Sequence, residues 1–264
     1  MALTDKLTAI GDAIREKTAS TDLIPLAEMP DKVGEVYKAG KDAAWNEFWD
    51  NYQGNGTLKN YKSVFAGRGW KPETFYPKYD VIATNAVGTF QEFGGTPFNL
   101  TKRLEECGVT LDVSNATLVS NLFFGTPFTE VPHIDTKKAT SLGALYQNSA
   151  YLTKASIALK DDGSQTWQNT FSSCKALEDF TITSGTIGQN GFDIHWSTKL
   201  SKASILSILQ ACNKENAGIT ITLPEYREDG VTKTLTFITE DTELNTEYTR
   251  ATSAAYNYSI GFAK

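Results

Sequence analysis

The side chains that could do chemistry in this 264-residue chain are few and scattered. There are two histidines, His133 in Val131-Pro132-His133-Ile134 and His195 in Asp193-Ile194-His195-Trp196. Neither has a second His or a Cys at the spacing that metal sites use, so no metal is expected. Cys107, Cys174 and Cys212 are odd in number and widely separated, which fits buried thiols in a reducing compartment better than a disulfide framework. Nucleophile elbow, P-loop and dinucleotide fingerprint are all missing, and Gly185-x-x-Gly188-x-x-Gly191 has the wrong spacing for the last of these. Carboxylates cluster at Glu105-Glu106, at Asp161-Asp162-Gly163 and at Glu240-Asp241 with Glu243. Glycoside hydrolysis would need two carboxyls facing each other about 5–10 Å apart, which none of these spacings specifies. Asp161-Asp162-Gly163 has instead the composition of a tight turn. The expectation is a non-enzymatic protein with no catalytic residue and no cofactor.

Binding chemistry is better represented. The chain carries 5 Trp, 11 Tyr and 14 Phe, more aromatic surface than a lean core requires. Trp196, beside His195 and near Asp193, and Trp70, beside Arg68, are the candidate ligand contacts, because an indole can stack on a sugar or a partner side chain. The other aromatics read mainly as core. With 25 basic and 31 acidic side chains the net charge is −6 and no basic run occurs, so nucleic acid is an unfavourable partner. No apolar run approaches the ~20 residues a membrane helix needs, so membrane insertion is not expected. The opening Met1-Ala2-Leu3-Thr4-Asp5-Lys6 lacks the basic and apolar regions of a secretory signal, which points to synthesis in the cytoplasm.

These residues must be positioned by elements, and the spacing predicts four regions. Residues 1–53 read as an N-terminal helical oligomerisation or attachment region. Leu3, Leu7, Ile10 and Ile14 line one helix face as alternating a and d positions, a pattern that favours three or four strands over two. In a second helix, Trp45, Phe48, Trp49 and Tyr52 form an aromatic stripe, and Gly54-Asn55-Gly56 ends it. Residues 54–80 are an aromatic-rich ordered connector. Residues 81–200 carry repeats: Val119-Ser120-Asn121-Leu122-Phe123, Leu142-Gly143-Ala144-Leu145-Tyr146 and Trp167-Gln168-Asn169-Thr170-Phe171 superpose, with their aromatic anchors 23 and 25 residues apart. That period predicts a leucine-rich-repeat type solenoid. Residues 201–264 form a mixed α/β C-terminal capping unit, with a helix over 201–212, a hairpin of strands 219–223 and 234–238 turning at Glu228-Asp229-Gly230, a helix over 246–256 and a strand over 258–262. The expected class is thus α+β, N-terminal helices followed by that solenoid and its cap.

The opening Leu3-Thr4-Asp5-Lys6-Leu7-Thr8-Ala9-Ile10-Gly11-Asp12-Ala13-Ile14-Arg15-Glu16-Lys17-Thr18 resembles the N-terminal segment of tail-associated structural proteins of phages and prophages of gut bacteria. Val36-Tyr37-Lys38-Ala39-Gly40-Lys41, Phe48-Trp49-Asp50 and Phe65-Ala66-Gly67-Arg68-Gly69-Trp70 resemble its continuation. The repeats, with Gly185-Thr186-Ile187-Gly188-Gln189-Asn190-Gly191, resemble BspA-like leucine-rich repeats. The resemblance runs to about residue 212. It implies a virion component of the tail tip or fibre, a homotrimer that contacts other tail proteins and presents its repeat region to a host cell-surface glycan or protein. A BspA-like surface adhesin is the second expectation, although it would require an export signal and an anchor. A glycan-degrading tail enzyme is the third.

Overall fold

The computed structural model describes residues 59–67 and 70–264. The helical region 1–53 with Leu3, Leu7, Ile10 and Ile14, and the candidate Arg68, lie outside the described residues.

Ten strands run through the described chain: β1 (Lys59–Asn60), β2 (Val81–Asn85), β3 (Phe98–Asn99), β4 (Leu111–Asp112), β5 (Phe128–Glu130), β6 (Ile134–Asp135), β7 (Lys154–Ala158), β8 (Asp179–Ser184), β9 (Thr220–Pro224) and β10 (Ser259–Ala263). Four α-helices accompany them: α1 (Leu100–Cys107), α2 (Lys202–Ala211), α3 (Thr234–Glu240) and α4 (Thr242–Thr252). Every pairing of named strands is parallel. The strands form a sheet β1-β2-β4, a five-stranded sheet in which β7 pairs β5, β6 and β8, and the pair β10-β9.

This arrangement corrects the expected class. The fold is α/β, a curled parallel sheet forming a half-barrel with four helices, and not an α+β leucine-rich-repeat solenoid. Such a solenoid stacks one strand per repeat in a single ladder. Here the pairing is divided among three sheets and branches at β7, and the helices do not recur with the strands. The aromatic period reports something more general, the stacking of successive chain turns.

That stacking is the core. The rings of Phe65 and Phe90 lie 5.2 Å apart, Phe90 and Phe123 5.8 Å, Phe123 and Tyr146 5.7 Å, and Tyr146 and Phe171 5.7 Å, all stacked. Each of these five side chains is fully buried. A backbone ladder runs beside the rings: Phe65 N–H donates to Thr89 O (2.8 Å), Phe90 to Leu122 O (3.0 Å), Phe123 to Leu145 O (2.9 Å) and Tyr146 to Thr170 O (3.0 Å). Two residues before each anchor the chain turns through a left-handed conformation, at Ser63, Gly88, Asn121, Ala144 and Asn169. Gly and Asn tolerate that region best, which accounts for Gly88, Asn121 and Asn169, while Ser63 and Ala144 hold it without that preference. Gln165 fastens neighbouring turns: its buried amide donates to Thr136 O (2.8 Å) and Ala139 O (3.2 Å) and accepts from Lys160 N–H (2.8 Å).

The C-terminal unit also departs from expectation. The segment 234–238 is not a strand but the start of α3, and β9 pairs in parallel with β10 instead of forming a hairpin with residues 234–238. β-Branched Thr and Ile suggest a strand, but Thr234 and Ile238, four apart, are the buried positions, so helical spacing decides the element. α2 starts at the Ser201 cap, whose side chain accepts from Ser204 N–H. Its C-terminal carbonyls are tied by Arg250 of α4, whose guanidinium donates to Leu209 O (2.8 Å) and Cys212 O (3.0 Å). All three cysteines are free; Cys174 and Cys212 are buried, and Cys107 at the end of α1 is half-buried. Among the described residues, no helix is long and apolar enough to cross a membrane.

Candidate functional site

The Asp193-Ile194-His195-Trp196 segment is held by alternation. Phe192 and Ile194 are buried, Phe192 packing 4.9 Å from the Trp167 ring and 5.5 Å from Phe171. Ile194 N–H donates to Thr222 O (3.0 Å) and Thr222 N–H to Phe192 O (2.9 Å), so the segment is stitched to β9. Ser197 Oγ donates to Cys174 O (2.9 Å) and closes the turn. Because period-two alternation sends Phe192 and Ile194 inward, Asp193 and His195 are left toward the outside.

Asp193 and His195 are the polar centre of the segment. Asp193 Oδ1 accepts from His195 N–H (3.1 Å) and lies 2.6 Å from His195 Nδ1. With Asp193 ionised, that bond selects the tautomer with hydrogen on Nδ1 and leaves Nε2 as an acceptor. The His195 and Trp196 rings are 4.9 Å apart, and Lys175 Nζ lies 5.4 Å from the Trp196 centroid. Trp196 is 39% exposed, far more than a core indole.

These residues form one wall of a cleft of about 300 Å³. The opposite wall comes from the preceding turn of chain, as Trp167, Gln168, Asn169 and Ser172. Trp167 is nearly buried, and its Nε1–H has no hydrogen-bond partner. Gln168 and Asn169 are exposed, and Asn169 takes the left-handed turn position with φ +55°. Gly191, also on the cleft, has φ +99°, and a Cβ there would come within 2.3 Å of Trp167 O. The two walls can approach only because residue 191 has no side chain. The cleft thus combines an exposed indole, an imidazole acceptor, two carboxamides, a hydroxyl and one carboxylate. Such a set hydrogen-bonds a polyhydroxylated ligand and stacks on its apolar face.

The remaining candidates are placed elsewhere. Trp70 belongs to the aromatic core, 5.4 Å from Phe65, 6.2 Å from Phe75 and 6.5 Å from Phe93, so it does not join Trp196. His133 Nδ1 lies 3.1 Å from Ser156 Oγ on the surface. Asp162 accepts from Ser164 N–H (2.9 Å) before Gly163 at φ +65°, a structural turn. Asp241 caps α4 and, like Glu243, pairs with Lys202, at 2.9 and 3.1 Å. Among the described residues, no group of three His, Cys, Asp or Glu could hold a metal ion. Gln168, Asn169 and Ser172 were not singled out by the sequence reading, although Gln168 and Asn169 sit inside the repeat that ends at Phe171. Comparison with family models, with curated proteins and with solved structures gives no match.

Proposed function

We propose that this chain is a phage or prophage tail-associated structural protein, without enzymatic activity, that binds a glycan on the bacterial surface through the Trp196 cleft. The observation that carries the reading is the cleft itself: an exposed indole beside an oriented imidazole, facing two carboxamides on a wall that Gly191 allows to approach closely. The resemblance of residues 3–18, 36–41, 48–50 and 65–70 to tail-associated proteins supplies the biological setting. In that setting the N-terminal region assembles the protein into a homotrimer and attaches it to other tail proteins. Three copies of one weak cleft would then act together through effective concentration.

The test is binding of the purified full chain to cells of the presumed host, wild type against Trp196→Ala, together with mass spectrometry of purified virions. Wild-type binding weakened by about 2 kcal/mol or more in the variant, the loss typical of a truncated aromatic hot spot, supports the reading. Failure of the wild type to bind, or equal binding by both proteins, overturns the role of the cleft. Absence of the chain from virions overturns the tail assignment.

A further inference from the structure

A second concavity, of about 610 Å³, lies elsewhere on the described chain and shares no residue with the Trp196 cleft. Its volume falls in the ~300–1,000 Å³ range of small-molecule sites. It is built on three stacked turns. Glu92 N–H donates to Phe124 O (2.7 Å), Gly125 N–H to Gln147 O (2.8 Å) and Asn148 N–H to Ser172 O (2.8 Å), so residues 92, 125 and 148 follow one another along the stack. All three are left-handed, with φ of +54°, +63° and +61°. Gly and Asn occupy that region readily, whereas Glu rarely does.

The middle position is glycine. A Cβ at residue 125 would sit 3.7 Å from Glu92 Cγ, in ordinary contact beside the acid. Phe93, Phe124 and Tyr151 supply aromatic lining, and Tyr151 is 54% exposed. Glu92 is the one charged residue of the lining, and its carboxylate has neither a hydrogen bond nor an ion pair among the described residues. An unpaired carboxylate in a concavity that also carries Tyr151, with no lysine or arginine among the described lining residues, favours a cationic ligand over a neutral or anionic one.

We propose that the groove bounded by Glu92, Gly125, Asn148 and Tyr151 binds an organic ammonium group, as carried by an amino sugar or by a lysine side chain. The ammonium hydrogen-bonds Glu92, its carbon frame lies on Tyr151, and Asn148 contacts the neighbouring polar groups. This site is independent of the Trp196 cleft, and Trp196→Ala leaves it unchanged.

The test is an NMR titration of the isotope-labelled full chain with glucosamine, N-acetylglucosamine and Nα-acetyl-lysine amide. The Gly125 and Asn148 amides are expected to shift saturably with glucosamine, with the lysine amide, or with both, and whichever binds tighter identifies the source of the ammonium. N-acetylglucosamine, which keeps the ring but loses the charge, is expected to bind at least about fivefold more weakly than glucosamine wherever glucosamine binds. Glu92→Gln is expected to weaken the cationic probes by about the same factor, and Gly125→Asn, which tolerates the left-handed turn, to block them. Both variants are checked by thermal unfolding. Equal binding of glucosamine and its N-acetyl form, cationic binding that survives Glu92→Gln, or no saturable shift with either cation up to about 10 mM, the weak end for fragments of this size, overturns the proposal.

Discussion

Replacing Tyr146 by Phe should stabilise the protein, although buried Tyr→Phe changes ordinarily cost stability. Tyr146 is fully buried between Phe123, 5.7 Å away with ring planes 6° apart, and Phe171, 5.7 Å away at 23°. Its hydroxyl is buried without a hydrogen-bond partner, and burial pushes the phenol well above its ordinary pKa. A buried polar group without a partner costs about 1–3 kcal/mol, and the change to Phe removes that cost while leaving the ring contacts in place. The deleted oxygen leaves a small void, which returns part of the gain through lost contacts. A net stabilisation of about 1 kcal/mol is expected, or about 2–4 °C in the thermal midpoint for a domain of this size. Urea unfolding of both proteins measures it directly: the midpoint should rise at constant slope. A fall in midpoint corresponding to more than about 0.5 kcal/mol would show that the hydroxyl has a partner and that the packing of this level of the stack is different. Because Tyr146 does not line the Trp196 cleft and its backbone bond to Thr170 O is kept, ligand binding should be unchanged.

Arg250→Met should destabilise by about 2 kcal/mol, since it removes charged hydrogen bonds to the Leu209 and Cys212 carbonyls that end α2, discounted for the quarter of the side chain that is exposed; calorimetry that finds no change would remove the tie between α2 and α4. Hydrogen bonds from Thr232 and Val231 hold the Asp229 carboxyl below the ordinary carboxylate range, and Lys202 followed by the Leu244 N–H does the same for Asp241. Stability from these groups is therefore present above that range and is lost as pH falls through their lowered folded values, so acid unfolding of Asp241→Asn should begin from a lower plateau and fall less steeply than in the wild type. Burial pushes the Cys174 and Cys212 thiols up to about 12, whereas Cys107 is only half-buried. Alkylation of the native protein followed by mass spectrometry should modify Cys107 first, with the other two reacting only after unfolding.

The elements visible in the sequence are those whose signal is local. The helix read over 201–212 lies within a residue of α2 at each end, and the strand read over 258–262 within a residue of β10. The anchors Phe123, Tyr146 and Phe171 do stack, because each is followed by the next turn at nearly constant chain length. How parallel strands are shared among sheets depends on long-range pairing, and the branch at β7 has no local signal. For that reason the repeat period suggested a solenoid where the sheet instead curls into a half-barrel. α3 was masked by β-branched residues whose burial follows helical spacing. At the site, one wall was legible in Asp193, His195 and Trp196, which are neighbours in sequence. The other wall comes from residues 167–172, brought opposite by stacking, and Trp70 was drawn away by core packing that adjacency to Arg68 did not reveal.

The central claim is that the Trp196 cleft receives a bacterial surface glycan, and the most direct measurement follows the indole signals of the five tryptophans while purified surface polysaccharide of the presumed host is titrated into the isotope-labelled full chain. The account predicts saturable shifts at the Trp196 indole and at the side-chain amides of Gln168 and Asn169, lost in Trp196→Ala while the backbone spectrum of the fold persists. Shifts confined to other residues, or a Trp196 signal unmoved at saturating polysaccharide, would contradict it.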